Sequence, residues 1–526
     1  MLISFICAAT FLANYSPQTD SSSEALAAST SAKKTQGIDQ RPLGPSFPEI
    51  PLSQRILHLS VNGRILEIPL SEDGALFDAE SLNTEFPNTI ALINNLQGLS
   101  LSVDGEKLTR DMPVAVNINK IAYDKNIHIV ITDGNDTRMV GIRTLNSNIP
   151  PYTAAGKSPH RGHYYTTMLT IPIMLKLDES GEIVYYQCAK NASQYAVNAA
   201  AALAAPTELD ESMSYWDFKR HVLPNGKVRY SYHEQSPSYN RLNLVGYAGG
   251  TRVVLDEKYN EIKRIKLLPE SASSVNAVEG HDFYMIDDEH YIVSNYELQL
   301  VHNIPKELNP QPQGSKVLAA HLQEVKNGVV VLDWYSTDHA ELYAMSEEKF
   351  NDFANIKTQG PDYVHFNSVE IDTDGNLICS FRNISTILKL DRTSGRILWR
   401  LSGVSDEFGL SDEQKTSNQH YARKTESGHL TIFDNNVRNK KSRILKLKLD
   451  EETKTLTEWK EYLVPGHFSV VCGSAQNLMD EVFVIGWGFS TENYAACTEM
   501  DFASGRKLFE LTFPPGKNST YRCAKY

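Results

Sequence analysis

Six strand–turn–strand segments recur along this chain: IPIMLKLDESGEIVYY, TRVVLDEKYNEIKRI, KVLAAHLQEVKNGVVVLDW, STILKLDRTSGRILWRL, RILKLKLDEETKTLTEWKEY and AACTEMDFASGRKLFEL. Most are preceded by a further turn and strand, as in PNGKVRYSYHE, DDEHYIVSN, TDGNLICSFRN, ESGHLTIFDN and MDEVFVIGWG. Each unit therefore supplies four short strands over roughly fifty to eighty residues, a spacing typical of repeat architectures. No single unit of this size can bury its own face. Radial repetition solves that problem and leaves only short, protected strand edges. The repeat predicts an all-β protein whose residues 160–526 form a six-bladed β-propeller. One interruption, YAVNAAAALAAPTELDESMS, has helical composition and is expected to decorate the first blade.

Ahead of the repeat, residues 51–150 alternate apolar and polar positions, as in RILHLSVNGRILEIPLS and IHIVITDGNDTRMVGIRTL. Period-two runs broken by Asn-Gly and Asp-Gly turns mark antiparallel strands, and an immunoglobulin-like β-sandwich is the expected result. Two domains suit a chain of 526 residues, too long for one core. The N-terminal MLISFICAATFLA has the length of a secretory apolar region, so residues 1–22 are read as a signal segment and 23–50, rich in Ser and Ala, as a disordered linker. A secreted or periplasmic location follows. No later apolar run is long enough to span a bilayer.

A net charge of −13 argues against a nucleic-acid partner, because no basic stripe exists to replace phosphate counterions. The six cysteines, Cys7, Cys188, Cys379, Cys472, Cys497 and Cys523, show no CxxC pairing that would imply zinc. One late bridge among Cys472, Cys497 and Cys523 is compatible with an oxidising compartment.

The histidines carry the chemical signal. His281, His365 and His420 each precede the second strand of their unit by about one strand length, in three consecutive units. In a propeller this register brings residues of several blades to one end of the central channel. Arg382, closing the strand LICSFR, adds a fixed cation. Three imidazoles suit zinc or iron, but a guanidinium beside them would repel a cation. An anion with a transferable group fits better: a neutral imidazole attacks, while Arg382 and the other imidazoles hold peripheral oxygens and developing charge. His290, His302, His321, His339, His429 and His467 fall outside the register and are read as surface or packing residues, His429 as solvated.

The stretches DYVHFNSVEIDTDGNLICSFRNISTILKLD, RILWRLSG and QHYARKTESGHLTIFDN resemble the arylsulfate sulfotransferase family in content and order. Clear similarity covers about residues 275–440. The resemblance implies transfer of a sulfuryl group from a phenolic sulfate donor to a phenol acceptor. It further implies a ping-pong mechanism through a sulfohistidine, with no nucleotide donor and no cofactor. Carried over by position, His420 is the nucleophile, His365 and His281 are catalytic partners, and Arg382 and Asn367 bind substrate. No metal site is implied, and a homodimer is compatible with the reading. Two departures stand out: no cysteine pair precedes His420, and Asn383 follows Arg382 where members commonly have a histidine.

A catalytically inactive propeller that binds a ligand or partner protein would share the fold; His420 together with Arg382 favours the enzyme. A metal-dependent propeller hydrolase or a quinone-dependent dehydrogenase would need carboxylates converging on Ca²⁺, whereas Asp374 and Asp391 lie where hairpin turns explain them. Trp487, Phe489 and Tyr421 could wall an arene pocket or simply pack the core.

Overall fold

The structure, a computed structural model, describes residues 51–61, 63–71, 75–78, 88–93, 98–109, 112–116, 127–143, 149–169, 172–188, 214–235, 247–268, 277–347, 353–354, 360–490, 494–515 and 520–526. The expected signal segment and the linker lie outside these residues, as does the Ala-rich stretch expected to be helical, except for its last residue, Ser214, which opens a strand. The helical elements among the described residues are 3₁₀ turns of at most six residues, the longest being Ala340–Met345. Everything else regular is β-strand, so the protein is all-β. No helix among the described residues is long and apolar enough to cross a membrane.

The chain divides into two units, Met1–Ile118 with Asn126–Thr144, and Asn119–Lys125 with Leu145–Tyr526. The first holds a four-stranded sheet in the order Arg64–Pro69, Ile56–Val61, Asn88–Leu92, Val114–Val116. Its alternation is the one legible in the sequence: Leu57, Leu59 and Val61 are buried while Ile56, His58 and Ser60 are not. A second sheet runs Ala75–Asp78, Thr137–Arg143, Ile127–Thr132, Ser100–Val103, Glu106–Leu108. Its first two strands pair parallel, from Ala75↔Val140 to Asp78↔Arg143. The sequence suggested antiparallel strands throughout. Residues 79–136 lie between these two, leaving ample chain for the crossover that parallel pairing requires.

The second unit contains six antiparallel sheets of four or five strands. Each hairpin read from the sequence belongs to its own sheet: Ile173–Leu177 with Ile183–Cys188, Gly249–Leu255 with Glu261–Ile265, and Ser315–Lys326 with Val329–Tyr335. The others are Thr386–Leu390 with Ile397–Leu401, Arg443–Asp450 with Thr455–Tyr462, and Ala495–Asp501 with Arg506–Thr512. Central strands such as Leu377–Phe381, Leu430–Asp434 and Val482–Gly486 are buried at every residue. Covered on both faces, they read as short continuous runs rather than alternations. Burying each large apolar side chain there contributes about 1.5–3 kcal/mol.

One sheet joins the two ends of this unit. Thr520–Lys525 pairs antiparallel with Tyr164–Met168, from Tyr164↔Lys525 to Met168↔Thr520. A disulfide between Cys497 and Cys523, with Cα atoms 5.8 Å apart, ties that last strand to the neighbouring sheet. Beside it, the buried Glu499 accepts from Ser158 Oγ at 2.7 Å, Tyr164 OH at 2.6 Å and Lys525 Nζ at 2.9 Å, and pairs with His160 Nδ1 at 2.6 Å. Early and late residues thus share one charged, fully satisfied cluster.

Candidate functional site

The site forms where the first strands of neighbouring sheets begin. His420 opens the strand His420–Lys424, His365 immediately precedes Phe366–Ile371, and His281 lies between Val278–Glu279 and Tyr284–Asp287. The backbone is unusual at this level. His365, Tyr421 and Cys472 adopt positive φ of 53°, 54° and 63°, a conformation that costs bulky residues free energy and clusters at functional sites. At Tyr421 it accompanies a bulge, for the pairing to Leu430–Asp434 slips between His420 and Arg423. Bulges re-aim side chains, and here the slip lets two consecutive residues, His420 and Tyr421, both be buried. Gly473, at φ 105°, makes room beside them: a Cβ there would run into the ring of Phe433, the residue paired with His420.

His420 is 2% exposed. Its Nδ1 lies 2.6 Å from Asn435 Oδ1. The Asn435 amide cannot turn, because its Nδ2 donates to Ser469 O at 2.9 Å and to Cys472 O at 3.0 Å. The oxygen must therefore face the ring, so Nδ1 carries the proton and Nε2 keeps its lone pair. Consistent with this, Nε2 accepts the Cys472 backbone N–H at 3.3 Å. Burial, then the charge of Arg382, keeps the imidazole well below its ordinary pKa, and the Asn435 hydrogen bond only partly offsets them. The ring is neutral with a defined tautomer.

The other two histidines differ in kind. His281 Nδ1 is hydrogen-bonded to Glu279, whose second oxygen accepts the His281 backbone N–H at 2.8 Å. His365 Nδ1 pairs with Asp362 Oδ2 at 2.5 Å. Their Nε2 atoms face each other at 3.3 Å, with ring centroids 4.9 Å apart and planes nearly perpendicular. A carboxylate partner favours a proton on each Nδ1, which leaves the two Nε2 atoms as the positions where a further proton can be gained or passed on. Burial, countered by Glu279, lowers the His281 pKa.

Arg382 starts the 3₁₀ turn Arg382–Ile384. Its backbone N–H donates to His365 O at 2.8 Å, and its Nη1 to Asn383 Oδ1 at 2.7 Å. The Asn383 amide is anchored in turn by Asp362 O at 2.6 Å. Asn383 thus braces both Arg382 and the loop carrying Asp362. Asn367 is fully buried, and its Nδ2 donates to Gln419 O at 2.8 Å. Its carboxamide hydrogen fixes the residue before His420, while Oδ1 has no hydrogen-bond partner among the described residues.

Below this level lies a buried ionic cluster that sequence reading missed. Asp282, next to His281, is bonded to Lys219 Nζ, to Arg423 Nη2 at 2.8 Å and to Arg522 Nη1 at 3.1 Å. Burial alone would raise its pKa; the cations override that and hold it well below the carboxylate range. Arg522 also donates to Asn367 O at 2.7 Å, and Tyr521 OH to His281 O at 2.9 Å. The final strand thereby supports two site segments.

Glu279 and Asp362 were also missed, although each lies two or three residues before its histidine in the sequence. Asn435, the last residue of the stretch QHYARKTESGHLTIFDN, was given no role of its own. His429, expected to be solvated, has a side chain only 16% exposed, with Nδ1 2.9 Å from Ser427 Oγ and Nε2 3.3 Å from Glu458; its neighbours cover the turn. Trp487 is buried and stacks on His467 at 4.0 Å, a packing role. Among the described residues, the acidic group spaced for a metal ion is Asp372, Asp374 and Glu451, and Lys389 Nζ lies 2.8, 2.7 and 2.6 Å from its three members.

Two imidazoles backed by carboxylates, a third backed by a neutral amide, and a guanidinium define a site suited to an anionic group and to proton movement. A family model described as Arylsulfotransferase (ASST) matches residues 223–493, just over half of the chain and all four of these residues, and the chain belongs to that family. No curated relative matches the chain. Among solved structures, a protein of unknown function from Bacteroides caccae is similar with a TM-score of 0.37 at 10% identity, covering 70% of this chain and 99% of that one. Virginiamycin B lyase from Staphylococcus aureus gives 0.29 at 11% identity, covering 70% and 90%. The Dos1 propeller gives 0.30 at 8% identity, covering 76% and 70%. Likenesses this distant bear no weight for function.

Proposed function

We propose that this protein moves a sulfuryl group from an aryl sulfate ester to a phenol in two half-reactions, with His420 as the covalent carrier. In the first, His420 Nε2 attacks sulfur; the N–S bond forms as the bond from sulfur to the aryl oxygen breaks. The departing phenolate takes the proton held between His281 and His365. In the second, an acceptor phenol returns a proton to that pair, its oxygen attacks sulfur, and the N–S bond breaks. Arg382 faces the sulfuryl oxygens, where charge spreads in a loose, in-line transition state. One site serving both halves gives ping-pong kinetics. The observation that carries the reading is the contrast in partners: only His420 is held neutral, with Nε2 unprotonated, by an amide.

Asn367 acts in this scheme by placing the Gln419–His420 peptide, with Oδ1 left to meet substrate. The six sheets of the second unit, joined end to end by the Tyr164–Lys525 pairing, support a six-bladed propeller with the histidines at one mouth. The two sheets of the first unit support a separate β-sandwich. The disulfide and the apolar N-terminal run favour a secreted or periplasmic location.

The test is direct. Incubation with a chromogenic aryl sulfate and no acceptor should add one sulfuryl group to a peptide containing His420, and phenol should discharge it. His420→Asn should abolish labelling in a folded protein. An adduct on another residue, or full labelling of the variant, refutes the assignment.

A further inference from the structure

Lys219 and Arg423 of the buried ionic cluster also line a cavity of about 140 Å³ that none of His281, His365, Arg382 or His420 borders. Its walls include Phe283, Tyr284, Tyr421 and Tyr526. An apolar cavity of roughly 150 Å³ is large enough for benzene, so one aromatic ring fits the space. The polar lining is unfinished. Glu370 has a side chain only 18% exposed, yet that side chain makes no hydrogen bond among the described residues; its nearest cation is Arg423 Nε at 3.5 Å. Arg423 uses Nη1 on the carbonyls of Ala422 and Val369 and Nη2 on Asp282, leaving Nε directed toward that gap. The hydroxyls of Tyr284, Tyr421 and Tyr526 likewise have no partner among the described residues. None of these atoms belongs to the fully buried polar atoms that lack a partner, so each stays open to a molecule that enters the cavity. Burial lifts the Glu370 carboxyl to about 7 despite the neighbouring Arg423, as expected of an acid short of donors.

We propose that this cavity is a second binding site, for one phenol-type ring whose hydroxyl accepts from Arg423 Nε and donates to Glu370 while the ring packs among the four aromatic side chains. A hydroxyl beside the 3.5 Å gap can make both bonds at once, which a carboxylate ligand could not do without facing Glu370. The inference does not depend on sulfuryl transfer, because no group of the transfer site touches the cavity.

The full chain carrying His420→Asn is titrated with phenol and with toluene by calorimetry, which removes the transfer reaction from the measurement. Phenol is expected to bind at least about tenfold more tightly than toluene, the scale of one hydrogen bond to a charged group. Adding Glu370→Leu should erase that preference while ring binding persists. Met285→Trp, whose indole would fill the cavity, should abolish binding of both. Equal affinity for phenol and toluene, absence of phenol binding, or a preference that survives Glu370→Leu overturns the proposal. Glu370→Leu decides the matter even if Met285→Trp does not fold.

Discussion

Asn435 Oδ1 accepts the Nδ1 proton of His420 at 2.6 Å from an amide whose own hydrogens are committed to Ser469 O and Cys472 O. The tautomer of a buried imidazole is thereby fixed by a neutral group. Asn435→Asp would replace that group with a carboxylate, which favours imidazolium and raises the ring pKa. A raised pKa means that more base is needed to free Nε2. The acid limb of the labelling rate should therefore move to higher pH than in the wild type. Asn435→Leu leaves Nδ1–H unpaired and should slow labelling at every pH. A single-turnover pH profile separates the two variants, and an unchanged profile for Asn435→Asp would count against the tautomer lock.

Arg382→Lys keeps a positive charge and loses the planar fork that grips two oxygens. Turnover should fall about 10²-fold or more, the usual cost of one preorganised donor to a transition state. Steady-state rates with a chromogenic donor measure this, and a wild-type rate would leave Arg382 with a packing role.

Activity should survive exhaustive EDTA treatment. The Nδ1 atoms of the three histidines are taken up by Asn435, Glu279 and Asp362, and an ammonium group fills the acidic cluster at Asp372. Loss of turnover restored by Zn²⁺ or Ca²⁺ would reassign the site as a metal centre.

Lys525→Met should destabilise the protein by about 3–5 kcal/mol, the cost of leaving a buried charge unpaired, since Lys525 and Glu499 are each almost wholly buried. Burial alone would raise the Glu499 pKa; hydrogen bonds from His160, Tyr164, Lys525 and Ser158 bring it below the ordinary value for a glutamate. A carboxylate with a depressed folded pKa contributes stability above its unfolded pKa and loses it as pH falls through the folded value. Thermal melts of wild type should therefore decline below about pH 4 more steeply than those of Glu499→Gln.

Much of the second unit was legible because hairpins announce themselves locally: turn residues at fixed offsets and short apolar runs need no knowledge of the rest of the chain. The strand register of His281, His365 and His420 was equally visible, since it repeats with the hairpins. What escaped was non-local. Glu279 and Asp362 are ordinary surface-type residues until the backbone folds each of them against its histidine. Arg522 follows Asp282 by 240 positions and meets it only because the last strand returns to the first sheet. The parallel pair of Ala75–Asp78 with Thr137–Arg143 was hidden for the same reason, because alternation reveals which face a strand buries and not which neighbour it takes.

The pairing of Tyr164 with Lys525 also sets a clock. These residues are 361 positions apart, and at synthesis rates of about 5–20 residues per second the strand Tyr164–Met168 waits roughly 20–70 seconds for its partner. During that interval it offers an unpaired edge to any passing chain. The strand that ends the wait also delivers Cys523 to Cys497, Arg522 to Asp282 and Tyr521 to the His281 carbonyl. Assembly of the histidine site is therefore among the last events of the chain's maturation, and a molecule interrupted short of residue 520 would keep most of its hairpins while lacking the supports beneath its reactive centre.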